Sequence, residues 1–237
     1  MLPGPLGIIK IVFMINQIAL TFIFLVALIL LLVFTEMIYR RLGIKGEITR
    51  KFAHFTGTLS TIIFPYIFED HWYVLFLAVI FFLILYFSRN GLQLKSIHDI
   101  ERISIGSYLL PVSIYLTFFI SFKLGENLFF ILPILILAIC DPVAGILGLE
   151  VNQYNDKIRL FGRELKKTWL GSGSFLVSSF VISIIAIYFN RMVLDVKTFW
   201  LALGIAVIAT LAELISWRGS DNLFIPMSVL LMLVIFL

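Results

Sequence analysis

Apolar runs of roughly 17 to 25 residues, almost free of charge, recur along the whole chain, and that is the length a helix needs to cross the hydrocarbon core of a bilayer. They lie at about 8–35, 53–68, 72–88, 106–122, 127–143, 171–189, 196–216 and 223–237. The pattern predicts an all-α fold, a polytopic transmembrane helix bundle of about eight spans, forming one integral membrane domain over residues 1–237. A globular core would alternate apolar with polar faces. With 61% hydrophobic and only 14% charged residues, and 24 phenylalanines, no part of the chain reads as a soluble domain. The first run, Ile11 to Phe34, is too long for the apolar region of a signal peptide and is read as a helix. Cys140 is the single cysteine, which excludes an internal disulfide and a thiolate metal cluster; it reads as a small buried apolar residue.

Charge then orients the bundle. Of 18 Lys and Arg residues, all but Lys10, Lys123, Arg191 and Lys197 fall on one side when successive loops alternate across the membrane. The positive-inside rule makes that side cytoplasmic, in the cell (inner) membrane, with both termini outside. The net charge of +4 is thus topological and does not signal nucleic-acid binding. The outer loops are short. The longest basic loop, from about Leu149 to Leu170, reads as a re-entrant or amphipathic segment on the membrane surface.

Several polar groups exceed what topology requires, and an ionisable residue at a span edge is a functional candidate by default. Asp141 stands in Cys140-Asp141-Pro142, where Pro142 is expected to break the helix and free carbonyls, while Gly145 and Gly148 allow close backbone approach. A carboxylate there suits magnesium or serves as an N-cap for the short helix that follows. Lys166, Lys167 and Thr168, followed by Gly171 and Ser172, outline either an anion site at a helix N-terminus or a juxtamembrane basic run. Arg50, Lys51 and His54 can share one helical face. His54 can bind phosphate, move a proton or simply sit at the interface. Glu101 is a metal ligand or the partner of Arg102. Glu213 lies inside the seventh span, and with Asp141 and Asp221 it supplies three carboxylates at the cytoplasmic ends of separate spans, enough for magnesium against a polyphosphate.

In order along the chain, Arg-Lys-x-x-His, Glu-Arg-x-x-x-Gly, Asp-Pro-x-Ala-x-x-x-Gly, Lys-Thr-x-x-Gly-Ser and Glu-Leu-x-Ser with a later Asp-Asn resemble the dolichol kinase and phytol kinase family, from about Arg50 to Pro226. Members are membrane enzymes that use CTP, or a related nucleotide, to phosphorylate a lipid alcohol such as a polyprenol, phytol or diacylglycerol. The resemblance implies that Asp141, Gly145, Gly148, Lys167, Thr168, Gly171 and Ser172 serve the nucleotide. Arg50, Lys51, His54, Glu101, Arg102, Glu213, Asp221 and Asn222 match the remaining motifs. Leu170 departs from the pattern, since many relatives carry Glu at that place.

The resulting expectation is phosphoryl transfer with Asp141, Lys167, His54 and Asp221 as catalytic residues. Magnesium would be held by Asp141 and Asp221 together with Glu213, and the partners would be a nucleoside triphosphate, a lipid alcohol and membrane lipids. Phosphatidate cytidylyltransferases form the second reading. Gly219-Ser220-Asp221-Asn222-Leu223-Phe224 lacks the Arg and second Asp of their signature. A transporter is the third, and is disfavoured because the charges gather at one set of helix ends.

Overall fold

The computed structural model describes residues 5–43, 46–90, 94–98, 104–150, 156–160 and 163–237. Hydrocarbon offers backbone groups no hydrogen-bond partner, so the apolar runs close their own ladders and fold as helices. The order is α1 (Pro5–Leu42), α2 (Gly46–Ser60), a 3-10 turn (Thr61–Ile63), α3 (Phe64–Ile67), α4 (His71–Asn90), α5 (Lys95–His98) and α6 (Gly106–Leu124). It continues through α7 (Leu128–Leu135), a π turn (Ile136–Cys140) and α8 (Asp141–Glu150) to strands β1 (Lys157–Leu160) and β2 (Arg163–Thr168). Helices α9 (Trp169–Arg191), α10 (Val196–Ile215) and α11 (Asp221–Phe236) complete it.

The all-α membrane bundle is as expected. Six helices among the described residues are long and apolar enough to cross a membrane: Met14–Leu42, His71–Ser88, Gly106–Leu124, Leu128–Gly148, Trp169–Arg191 and Val196–Ile215. Asp221–Phe236 is apolar but shorter. The remaining expected span, 53–68, is made of the end of α2, the 3-10 turn and α3.

One expectation fails here. Pro142 does not break its helix. The wider π turn just before it absorbs the missing N–H, and the chain stays helical from Leu128 to Gly148. Between α8 and α9 the loop is a strand pair where it is described. Lys157-Ile158-Arg159-Leu160 and Arg163–Thr168 pair antiparallel, with Lys157 opposite Thr168 and Leu160 opposite Arg163. Charged and apolar residues alternate in β1, the period of a strand, and Ile158 is buried.

Helices α7 to α11 form one dense core. On α10, Ala202, Ile205, Ala206 and Ala209 are fully buried at helical spacing, whereas Trp200, Leu211 and Ile215 face outward. Small residues inside and large apolar ones outside are the pattern of helices that pack closely in lipid. A Cβ placed at Gly204 would lie 3.0 Å from Met232 Cε on α11. At the far end of this pair, Asp195 caps α10. Its carboxylate accepts from Thr198 N at 2.7 Å and from Arg191 Nη1 at 3.2 Å, and the Thr198 backbone bond above all pulls its pKa down to about 2.

The other half is α1 to α6. A second cluster joins Phe64, Phe68, Val74, Leu77, Ile114 and Phe118 to Phe130 and Ile134 of α7, so α7 is the wall common to both halves.

Candidate functional site

The charged groups meet where α2, the π turn, β2 and the ends of α10 and α11 converge. Lys167 is the penultimate residue of β2, and the next residue, Thr168, caps α9 by accepting from Gly171 N at 3.2 Å. That cap holds the lysine at the helix start. Its ammonium is ion-paired with Glu213 Oε1 and lies 3.8 Å from Asp221 Oδ2. Glu213, only 3% exposed on the last turn of α10, also accepts from Ser172 Oγ at 3.2 Å. Burial works to lower the Lys167 pKa, but the carboxylates of Glu213, Asp221 and Asp141 outweigh it and hold the pKa above the usual lysine value. The lysine therefore stays charged.

Asp141 faces His54. His54 Nε2 lies 3.9 Å from Asp141 Oδ2 and 3.4 Å from the Leu137 carbonyl oxygen, a contact that needs the proton on Nε2. The freed backbone explains the second contact. Pro142 brings no N–H to the turn, so an acceptor on the preceding turn lacks its ladder donor, and the imidazole supplies one.

The glycines are explained mostly by close approach. A Cβ at Gly145 would lie 2.5 Å from Lys51 Nζ, so a side chain there would push the end of the flexible lysine away from α8. Gly148 and Gly171 face each other with Thr168 Oγ1 between them, and a Cβ on either would come within 3.0 Å of that oxygen. Here α8 crosses α9 almost backbone to backbone. Gly219, with φ +92°, lets the loop before α11 lie against Gly106, and Asn222 Nδ2 donates to Gly106 O at 2.8 Å. This fastens α11 to the start of α6.

Next to these groups, α1, α2, α4 and α6 surround an open cleft with a cavity volume of about 110 Å³. Its walls are apolar, among them Leu28, Leu77, Phe81 and Pro111. Arg50, His54, Ser107 and Asn222 line it near the charged cluster, and Thr61 lines it farther along the chain. His54 thus belongs both to the cleft and to the charged cluster.

Of the residues singled out in the sequence, Asp141, His54, Lys51, Lys167, Thr168, Ser172, Glu213, Asp221 and Asn222 are gathered at this end of the bundle. Glu101 and Arg102 lie outside the described residues, as does the Lys166 side chain. The three carboxylates do not stand as an open metal cage. Among the described residues, no group of three or more His, Cys, Asp or Glu side chains is placed to hold a metal ion. Lys167 occupies the space between Glu213 and Asp221, and Glu213 is a counter-ion there. Two contributions escaped sequence reasoning, the Leu137 carbonyl and the apolar cleft. The first had a signal in Pro142, whereas the second is assembled from four helices and has none.

The chain is similar to a phytol kinase of Synechocystis sp., at 25% identity over 196 residues that cover 82% of each chain. No family model and no solved structure matches it.

Proposed function

We propose that this protein is a membrane lipid-alcohol kinase that moves the terminal phosphoryl group of a nucleoside triphosphate onto the hydroxyl of a lipid held in the cleft. The observation that carries the reading is His54, which lines the polar end of an apolar cleft and faces Asp141 beside Lys167 and Asp221. An apolar slot that ends against a cation and carboxylates suits an acceptor with a hydrocarbon tail and a single polar head. Similarity to a phytol kinase supports the same class. CTP as the nucleotide rests on the family resemblance, and a cytoplasmic site rests on the distribution of basic loops.

Phosphoryl transfer needs positioning and charge stabilisation more than covalent help from the protein. Lys167 neutralises the transferring phosphoryl group, and Lys51, lying against Gly145, adds a second cation beside α8. The lipid hydroxyl oxygen attacks the γ-phosphorus in line, the bond from that phosphorus to the β,γ-bridging oxygen breaks, and the nucleoside diphosphate leaves. The hydroxyl proton passes to the His54–Asp141 pair. Asp141 and Asp221 are partly exposed oxygen donors of the kind that bind magnesium together with nucleotide phosphates, whereas Glu213 is taken by Lys167 and Ser172. Magnesium bound there would supply further neutralisation of the phosphate charge.

The test is incubation of purified protein in liposomes with magnesium, γ-labelled CTP and a panel of lipid alcohols, in parallel with α-labelled CTP and phosphatidate. Label from the γ position in a lipid is the expected outcome. Label from the α position would make the protein a cytidylyltransferase, and no transfer in either arm from folded protein would remove the kinase reading.

A further inference from the structure

The proposed reaction gives no task to Glu36, an ionisable residue within the apolar Met14–Leu42 helix whose side chain is only 13% exposed. A carboxylate so placed is costly and is kept for what it holds. One oxygen, Oε1, accepts from Arg40 Nε at 2.6 Å, a pair within its own helix whose arginine is mostly exposed. The other reaches α5, where Glu36 Oε2 accepts from Ser96 N at 2.9 Å. From α2, Thr49 Oγ1 donates to Ser96 O at 2.8 Å. Both backbone polar groups of a fully buried residue are thus taken by side chains of two other helices.

The next residue shows what these bonds hold in place. Ile97 is buried, packs with Leu32 of α1 and Leu85 of α4, and lines the cleft together with them. Helix α5 therefore lies across the end of the cleft where α1 and α4 finish and α2 and α6 begin. The charged cluster stands at that same end. Its polar side chains enter the cleft from α2, α6 and α11, whereas the α1–α4 side is covered by Ile97. With four residues α5 is too short to sustain a helix by itself, so the bonds to Ser96 and the packing of Ile97 fix it. Leu94 turns the chain into it with φ +55°, a conformation that leucine adopts only when its surroundings impose it.

We propose that α5 is a releasable strap over the α1–α4 side of the cleft, with Ile97 as its seal and Glu36 as the positioning residue that catches it. Closed, it keeps water out of the cleft beside the charged cluster. Short segments held by few bonds open locally before the helices they rest on, and release here admits water. The strap stands apart from the kinase reading, which gives it a use: a wet cleft lets water compete with the lipid hydroxyl. In that side reaction a water oxygen bonds to the γ-phosphorus and the bond to the β,γ-bridging oxygen breaks. Nucleoside diphosphate, inorganic phosphate and a proton are released.

Thiol labelling tests the closure without relying on turnover. Cys140, the single cysteine of the chain, is fully buried in the dense half and reports unfolding. Leu85→Cys puts a second thiol against Ile97. The protein in lipid nanodiscs is treated with a charged maleimide, labelled sites are identified by mass, and hydrogen exchange is followed over 95–98 and α4. The new thiol is expected to react slowly, and the amides of 95–98 to exchange before those of α4. Adding Glu36→Ala or Thr49→Val should speed labelling about tenfold while Cys140 stays unreactive. Glu36→Gln, which keeps an oxygen for Ser96 N, should fall between. Labelling that neither substitution changes, or exchange at 95–98 no faster than in α4, overturns the strap and leaves the kinase reading as it stood. Labelling of Cys140 in Glu36→Ala would mark unfolding, and Thr49→Val then decides in the same way. With γ-labelled CTP and lipid alcohols, free phosphate should rise relative to lipid phosphate in Glu36→Ala, and an unchanged ratio in active protein overturns the exclusion of water. Labelling in the expected order without phosphate transfer in any variant upholds the strap and removes the kinase reading.

Discussion

The two halves of the bundle are built from similarly apolar helices but solve opposite packing problems. From α7 to α11, alanines and glycines draw helices together, as at Ala202, Ala206 and Ala209 and at the Gly148–Gly171 crossing. From α1 to α6, Leu, Phe and Pro side chains leave an open cleft. Under the proposed function the difference is a division of labour. Groups that stabilise charge must be held in place, and close packing holds Lys167, Glu213 and Asp141. A hydrocarbon tail needs room and no directional contact, so the half proposed to receive it can be open.

Breaking the charged pair in the dense half should have the largest effect. Glu213→Ala removes the nearest counter-ion of the partly exposed Lys167, leaving Asp221, and should cost about 2–3 kcal/mol, read as a fall in unfolding free energy in bicelles. A loss below about 1 kcal/mol would mean that Lys167 finds other solvation, and that this half is less rigid than described.

Next comes Asp141→Asn, which preserves shape and removes charge. It should lower phosphate transfer about 10²–10³-fold while leaving the thermal midpoint near that of wild type. Activity close to wild type would take Asp141 out of the mechanism.

A matched pair of substitutions sharpens the contrast directly. Ala206→Leu overfills the dense core and should cost about 1–3 kcal/mol, whereas Ala78→Leu projects into the cleft and should cost less than about 1 kcal/mol. Equal losses would erase the distinction between the halves.

The smallest expected effect lies outside the membrane, at the Asp195 cap. Its carboxyl pKa is lowered from the ordinary 3.8 to about 2 in the folded protein, so its stabilisation is complete above the unfolded value and disappears as pH falls through about 2. The thermal midpoint of Asp195→Ala should therefore lie below that of wild type near neutrality and converge with it in acid. A gap that persists at low pH would show that the cap acts without its charge.

Much of this plan could be read in advance, because lipid makes helix formation obligatory and makes each polar residue in a span conspicuous. Asp141, Glu213, Asp221 and His54 stood out for that reason, and the structure brings them to one end. Their division of roles was not legible. Glu213 looked like a metal ligand because an acidic group in a span announces cost without naming its partner, and Lys167 lies 46 positions earlier in the chain. The strand pairing at 157–168 was masked by its basic residues, which read as a re-entrant or amphipathic surface segment until their period of two is noticed. The outcome at Pro142 turned on a local choice, since a chain can answer a missing N–H by stopping a helix or by widening one turn.

That widened turn decides where the helix tolerates a deletion. A π turn holds one residue more than an α-helical ladder needs. Removing one residue within Ile136–Cys140 would let the ladder close as ordinary α-helix, with Asp141 still in phase with the turns before it. Removing Val143 from the regular turns that follow would instead rotate everything after it by about 100° and turn Gly145 and Gly148 away from Lys51 and α9. Two codons a few places apart thus differ in whether their loss leaves the two ends of one helix facing the same way.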